Sequence, residues 1–228
     1  MDTTPMAKIE QPPATLRDMV QERLREAIIE GFFEPGQRLV ERPLCDQLGV
    51  SRTVIRETMR YLEAEGLVEI LPGRGPIVAT ISQEDARQIF DIRRMLETSA
   101  AETCADKIVP ERAEALQTAF DRLKQVGSTK APGELFKATA DFYSVIFEGA
   151  GHHIAWEIVQ RLNGRISRLR MMTLSTQERK RPGIVHMEHI CAAIVSGDAA
   201  AARHAVEEHL EDTAAVASKL LSKDAEND

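Results

Sequence analysis

Apolar residues recur at helical spacing along most of the chain, and residues 15–30 give the first example. Val20, Leu24 and Ile28 return every four residues, which places them on one face of a helix. Gly31 follows, and a glycine directly after such a stripe is typical of a helix end. The pattern therefore predicts a first helix with one buried face.

Residues 42–62 contain two further helical stretches joined by a tight turn. Leu44 and Leu48 form the inner face of the first stretch. Gly49 follows at a position that favours positive φ, and Ser51 is a good N-cap for the second stretch. The spacing predicts a helix-turn-helix, a motif that places its second helix in the DNA major groove.

The second helix of this motif has two distinct faces. Its predicted inner stripe consists of Ile55, Thr58, Met59 and Leu62. Its predicted outer face carries Arg52, Thr53, Arg56 and Arg60. An exposed row of arginines beside a hydroxyl is suited to phosphate and guanine contacts, so the pattern predicts DNA binding.

The periodicity changes after Leu62. Residues 67–71 and 76–79 are short apolar runs around the turn Pro72-Gly73-Arg74-Gly75, which predicts a β-hairpin. A hairpin directly after a helix-turn-helix is the wing of a winged helix. Arg74 lies between glycines that permit close backbone approach, so it is placed to reach a phosphate or the minor groove.

From Ser82 onward no strand pattern recurs, and the predicted class is mainly α. Pro110, the GSTKAPG segment, the Gly149–Gly151 step, Pro182 and the Gly197-Asp198 break separate the helical runs. The predicted helices are 84–105, 110–126, 132–148, 152–175, 182–196 and 198–221. Six helices of this size predict a C-terminal all-α bundle able to enclose a pocket.

Charge and cysteine content restrict the class of protein. The 228 residues carry a net charge of −7, and residues 14–80 hold nine arginines against eleven acidic residues. DNA affinity must therefore come from local placement of arginines. Cys45, Cys104 and Cys191 lack metal-finger spacing, which favours buried thiols in a reducing cytoplasm. The absence of a long apolar run argues against a membrane span.

Residues 14–78 resemble the DNA-binding domain of the GntR family of regulators. The matching runs are Gly31–Glu41, Gln47–Glu57, Leu62–Glu69 and the GRG tip at Gly73–Gly75. Val54 stands where the family usually has proline, and valine can take the same conformation. The resemblance implies DNA contacts by Arg42, Ser51, Arg52, Thr53, Arg56, Gly73, Arg74 and Gly75.

The C-terminal part resembles the ligand-binding domain of the FadR subfamily of GntR regulators, known as the FCD type. The matching residues are Ile92-Arg93, Leu96-Glu97, Phe142, Ala150-Gly151, Ala193-Ile194, Gly197-Asp198 and Glu208-His209-Leu210. Six predicted helices favour the shorter VanR-like branch. The implied organisation is a disordered tail at 1–13, a winged helix-turn-helix at 14–80, an effector and dimerisation domain at 84–222 and an acidic tail at 223–228.

Many members of this subfamily bind a divalent metal, and the resemblance places their four ligand positions at Thr139, Tyr143, Met187 and His209. Only His209 is a good ligand, so we expect no metal cofactor. On a helix His186 and His189 lie about 100° and 200° from Met187, which predicts that both point away from the bundle interior. A residual site that joins His209 to His186 or His189 stays a weak alternative.

The same positions predict a pocket for an organic effector. Arg93 and Arg165 fall on apolar stripes, and an inward arginine needs an anionic partner such as Glu97 or a ligand carboxylate. Thr139, Tyr143, Met187 and His209 complete the predicted effector site. For His209, a satisfied core residue is an equally good interpretation.

These observations predict a cytoplasmic, homodimeric transcription regulator, released as a repressor from a palindromic DNA operator by a small, anionic organic effector. The alternatives are a Zn or Ni carboxylate sensor and an architectural DNA-binding protein without an effector. The sequence contains no nucleophile–base pair, so it predicts no enzyme. It leaves open the effector, the operator, the target genes and the choice between repression and activation.

Overall fold

The computed structural model describes residues 15–129, 132–175 and 183–227. It contains an N-terminal domain (residues 15–80) and a helical domain (residues 83–227). In the N-terminal domain the elements are α1 (Leu16–Ile29), α2 (Glu41–Leu48), α3 (Arg52–Ala64), β1 (Val68–Leu71) and β2 (Gly75–Val78). In the helical domain they are α4 (Gln83–Asp106), α5 (Pro110–Thr129), α6 (Pro132–Ala150), α7 (His153–Ser175), α8 (Gly183–Val195) and α9 (Ala199–Asn227).

The predicted elements are confirmed in order and type, with helix and strand ends that mostly shift by one to three residues. The six helices of the C-terminal part all form, because proline and glycine separate runs that each carry one apolar stripe. One boundary is wrong. α9 continues through Asn227 where the sequence predicted an acidic tail from residue 223. The predicted tail at residues 1–13 lies outside the described residues.

Local signals define the ends of the helices in the N-terminal domain. Thr15 and Asp18 form a capping box at the start of α1. The hydroxyl of Ser51 accepts a hydrogen bond from the amide of Val54 at 3.4 Å, as predicted for an N-cap. Gly49 ends α2 with φ +66°, a conformation that a side chain disfavours.

Two apolar cores hold the molecule together. The N-terminal core packs α1, α2, α3 and the antiparallel hairpin around Leu24, Ile55 and Leu62. The larger core lies inside the helical domain, where α4 packs most extensively against α9. Phe136 of α6 packs against the N-terminal core, so the two domains share a contact surface. Within the described ranges, no helix combines the length and apolar character needed to cross a membrane.

Candidate functional site

The second helix of the helix-turn-helix, α3, presents the predicted polar face to solvent. Ile55 and Leu62 are fully buried on its inner side. The exposed residues of its outer side include Arg52, Thr53, Arg56 and Arg60. Arg42 on α2 is exposed as well. The structure thus gives α3 the polar surface that a major groove accepts.

Glu41 restrains one of these arginines. Nε of Arg56 donates to Oε1 of Glu41 at 2.7 Å. This hydrogen bond lowers the pKa of the Glu41 carboxyl and raises the pKa of Arg56. The Arg56 side chain remains 66% exposed, so the pair orients the guanidinium more than it stabilises the fold. No local sequence signal indicates this pair, because the two residues are 15 positions apart.

Further ion pairs join α1 to α3. Arg17 pairs with Glu57, and Arg25 donates two hydrogen bonds to Glu65 at 3.0 and 2.9 Å. Arg52, by contrast, forms no ion pair within the described ranges. Several arginines of this domain are thus neutralised by carboxylates, whereas Arg52 and Arg60 on α3 and Arg74 at the wing are exposed and form no ion pair with the described residues.

The wing is a tight antiparallel hairpin in which Leu71 is paired with Gly75. Gly73 and Gly75 have φ of +76° and +81°, a backbone conformation that explains the two glycines around exposed Arg74. Arg38 forms an isolated bridge with Ile77 and extends its guanidinium toward Gly75. Arg38 is thus a second basic residue at the wing, a placement that periodicity does not indicate because Arg38 is distant in sequence from the hairpin.

Inside the helical domain, Arg93 meets the carboxylate that the sequence predicted for it. Its Nε donates to Oε1 of Glu97 at 2.6 Å, and both side chains are buried. The Arg93 guanidinium also lies 5.6 Å from the ring centre of Phe90. Oε2 of Glu97 is buried without a hydrogen-bond partner among the described residues. The pair is therefore neutralised inside the bundle, with one carboxylate oxygen left without a donor.

The other predicted pocket residues are all buried in the bundle. This group consists of Thr139, Tyr143, Met187 and His209. The hydroxyl of Thr139 donates to the carbonyl of Leu135 at 2.7 Å, and that of Thr213 to the carbonyl of His209 at 2.8 Å. The predicted inner positions of α6, α8 and α9 are therefore confirmed as interior, although the hydroxyl of Thr139 already has a backbone partner.

The predicted orientation of His186 is wrong. His186 is buried beside Met187, its ring centre lies 5.5 Å from that of His209, and its Nε2 lies 2.8 Å from Oδ2 of Asp212. His186 and Met187 therefore both lie on the buried side of α8. Asp212 of α9 supplies a carboxylate partner for the imidazole. His189 is exposed, as predicted.

The residues present do not fit a divalent metal. At the four positions that the family resemblance assigns to metal ligands, a hydroxyl, a phenol and a thioether accompany a single imidazole. Across the described ranges, no three His, Cys, Asp or Glu side chains are grouped to share an ion. The rings of His186 and His209 lie close together, but Nε2 of His186 is already engaged with Oδ2 of Asp212 at 2.8 Å.

Arg165 lies outside the bundle, which corrects its predicted place in the pocket. Its side chain is exposed and packs on Gly66, at the turn that follows α3. α7 contacts the helical core on one side and the N-terminal domain on the other. A polar residue of α7 can therefore lie toward the N-terminal domain and not toward the bundle interior. The neighbouring Gly164 touches the backbone of Glu65.

Comparison with known protein families agrees with the division of the chain into an N-terminal domain and a helical domain. Residues 16–78 match the model of the bacterial regulatory proteins of the gntR family. Residues 88–212, more than half of the chain, match the model of the FCD domain. The two matches coincide with the N-terminal and helical domains described above.

Two curated relatives span most of the chain. The HTH-type transcriptional repressor RspR of Escherichia coli K12 is 25% identical over 203 residues, which cover 88% of each protein. The HTH-type transcriptional regulator LutR of Bacillus subtilis is 28% identical over 209 residues, 80% of this chain and 92% of the relative. Both are named as transcription regulators.

Solved structures share the fold. McbR/YncC of E. coli aligns over 91% of this chain and 99% of its own, with a TM-score of 0.75 and 21% identity. A GntR-type regulator from Rhodococcus sp. RHA1 aligns over 87% and 95%, with a TM-score of 0.72 and 24% identity. At these identities the likeness concerns the fold alone.

Proposed function

The chain belongs to the GntR family of DNA-binding transcription regulators and carries an FCD effector domain, and from this premise we propose that it is a cytoplasmic, homodimeric repressor. In this proposal, a small organic anion in the helical domain releases it from a palindromic operator. The observation that carries the proposal is the exposed row of Arg52, Arg56 and Arg60 on the outer face of α3, in a domain whose net charge is negative.

In the proposed complex, α3 occupies the major groove. Arg52 and Arg56 lie one helical turn apart, so both reach the same groove and favour guanine edges or phosphates. Ser51 and Thr53 bond to the backbone near the helix N-terminus, and Arg42 contacts phosphate from α2. The wing residues Gly73, Arg74 and Gly75 contact the flanking backbone or the minor groove.

A palindromic operator requires two copies of α3. On the outer face of α4, Met95 is 69% exposed and Ile92 is 40% exposed. Two large apolar side chains at i and i+3 form a patch that a second copy of this chain would cover. We place the dimer contact of the helical domain at this face of α4.

The effector site we propose lies around the Arg93–Glu97 pair. A ligand carboxylate would bind Arg93, and a ligand hydroxyl or amide would donate to the unpartnered Oε2 of Glu97. Thr139, Tyr143, Met187 and His209 would form the rest of the site, without a metal ion. The buried setting strengthens each of these contacts, because little water competes for them.

The proposed coupling between effector and DNA runs through α7. This helix packs in the helical core through Val159 and Ile166, and Gly164 contacts the end of α3 at Glu65. A ligand-dependent shift of α7 would therefore move the DNA-reading helix. Allosteric coupling of this kind is typically about 1–3 kcal/mol.

Selection of bound sequences from a random DNA pool tests the DNA-binding part of the proposal. We expect a short inverted repeat with guanine in each half-site. Enrichment of unrelated sequences, with binding that depends only on salt, would instead support the architectural alternative.

A thermal-shift screen of organic acids tests the sensing part, and the metal content of the protein is measured first. We expect stabilisation by one chemical class and no stoichiometric metal. Bound Zn or Ni at one ion per chain would favour the metal-sensor alternative over the organic-effector site.

A further inference from the structure

A cleft of about 440 Å³ lies between the two domains, beside the contact of Gly164 with Glu65. Its volume falls in the range of about 300–1,000 Å³ that small-molecule sites occupy. The N-terminal domain contributes Arg25 and Tyr61 to its wall. The residues proposed for the effector site inside the bundle do not line it, so the cleft is a separate cavity.

Asn163 is a buried polar residue on the wall of this cleft. Its side chain is 6% exposed, and its Oδ1 has no hydrogen-bond partner within the described ranges. A buried amide oxygen without a donor costs free energy, and native structures rarely leave one unsatisfied. A ligand with an N–H group would supply the donor.

An acidic and a basic side chain line the same cleft as this amide. Glu157 and Arg161 both line the cleft, one helical turn apart on α7, and neither forms an ion pair with the described residues. The other charged pair of the wall, Arg25 with Glu65, is internally neutralised by two hydrogen bonds. The cleft therefore offers one cation and one anion to a ligand.

The remaining wall is apolar and aromatic. Trp156 lines the cleft and packs on Phe147 of the helical core, with ring centres 5.2 Å apart. Ile29, Leu67 and Phe136 complete the apolar surface. A flat aromatic or branched aliphatic group of a ligand can pack on this surface.

We infer that this cleft binds a free amino acid with an aromatic or branched apolar side chain. The ligand carboxylate pairs with Arg161, its ammonium donates to Glu157 and to Oδ1 of Asn163, and its side chain packs on Trp156. This binding is independent of the proposed effector site in the bundle. Because the cleft touches both domains, an occupant also favours one orientation of α3 relative to α7.

Isothermal titration of the full-length protein with L-phenylalanine and with L-leucine tests this site. We expect at least one of them to bind with a Kd below about 1 mM. Two analogues separate the charges, since 3-phenylpropionate lacks the ammonium and 2-phenylethylamine lacks the carboxylate. If L-phenylalanine binds, each of these analogues should bind at least about tenfold more weakly. If L-leucine binds, 4-methylpentanoate (no ammonium) and isoamylamine (no carboxylate) should likewise bind at least about tenfold more weakly than L-leucine.

Arg161→Ala should weaken binding of the amino acid at least about tenfold, since it removes the partner of the carboxylate. Arg122→Ala is the matched control, because Arg122 is an exposed arginine on α5 that does not line this cleft. Absence of binding by both amino acids would overturn the inference. The inference would also be overturned if Arg161→Ala bound the amino acid with unchanged affinity or if Arg122→Ala lost as much affinity. The same holds if the analogue that lacks the ammonium, 3-phenylpropionate or 4-methylpentanoate, bound as tightly as its amino acid.

Discussion

Gly164 of α7 lies directly against the carbonyl oxygen of Glu65, the residue that caps α3, the second helix of the helix-turn-helix. A Cβ atom on Gly164 would lie 1.9 Å from that oxygen. Backbone therefore meets backbone at this point, and no side chain larger than hydrogen is compatible with the contact. The end of α3 thus rests on a helix that also packs in the helical core.

Gly164→Ala should separate the two domains at this contact. Because the added methyl clashes with backbone, we expect the free energy of unfolding to fall by about 1–3 kcal/mol, and cleavage by protease near residues 80–82 to become faster. Denaturant unfolding and limited proteolysis measure these effects. Gly127→Ala is the control and should be neutral or stabilising, because Gly127 is exposed on α5 and an added Cβ would meet only Leu135 at an ordinary 4.0 Å. Equal behaviour of the two variants would contradict the proposed coupling through α7.

Arg52→Ala and Arg56→Ala should each reduce operator affinity by about 1–3 kcal/mol, because each removes a charged contact in the groove. Gel-shift titration over a range of salt concentrations measures the loss, and a lost phosphate contact also lowers the salt slope by about one. Arg23→Ala is the control, since Arg23 is exposed on α1, away from the proposed contacts. If both variants bind like the control, α3 does not read DNA through these residues.

Arg93 and Glu97 should behave as a coupled buried pair. Glu97→Leu alone leaves a buried cation without its partner and should cost about 3–5 kcal/mol of unfolding free energy. The double variant Arg93→Met/Glu97→Leu should recover most of that loss while it abolishes the response to the effector. Chemical denaturation of the parent, the single variants Glu97→Leu and Arg93→Met, and the double variant measures the coupling in a double-mutant cycle. Additive losses would show that the pair is not coupled.

Met95→Glu should convert the dimer to a monomer, because it places a charge in the apolar patch proposed to bind a second copy. We expect sedimentation equilibrium to show at least about a tenfold rise in the dimer dissociation constant. Ile154→Glu is the matched control, since Ile154 on α7 is 70% exposed but lies away from the proposed face. The same dissociation constant for Met95→Glu and the parent would exclude this face of α4.

The stability of the protein should decrease at alkaline pH through Cys191. Burial raises the pKa of its thiol to about 11, so the folded state keeps the proton that an unfolded thiol loses near its ordinary pKa of about 8.5. This contribution is fully present below pH 8.5 and is lost as pH rises through 11, by up to about 3 kcal/mol. Urea unfolding of the parent and Cys191→Ala across this range measures the difference. Parallel curves would contradict the assignment.

The sequence predicted the N-terminal domain well because its signals are local. Ser51 caps the helix that follows it, Gly49 adopts the positive φ that its turn requires, and Gly73 and Gly75 shape the wing. Each of these residues acts within a few positions of itself. The exposed face of α3 follows from periodicity in the same way, whereas the pair Glu41–Arg56 depends on how α2 meets α3.

The chain by itself determined the order and type of the elements and the exposed polar face of α3. It also determined the pairing of Arg93 with Glu97, since i and i+4 residues are neighbours on any helix. The tertiary structure alone decided where Arg165, His186 and Asn163 lie. A helix that packs on two partners has two inner faces, and the partner of each face comes from distant sequence. Periodicity specifies which residues share a side of α7 or α8, and only packing decides what that side meets.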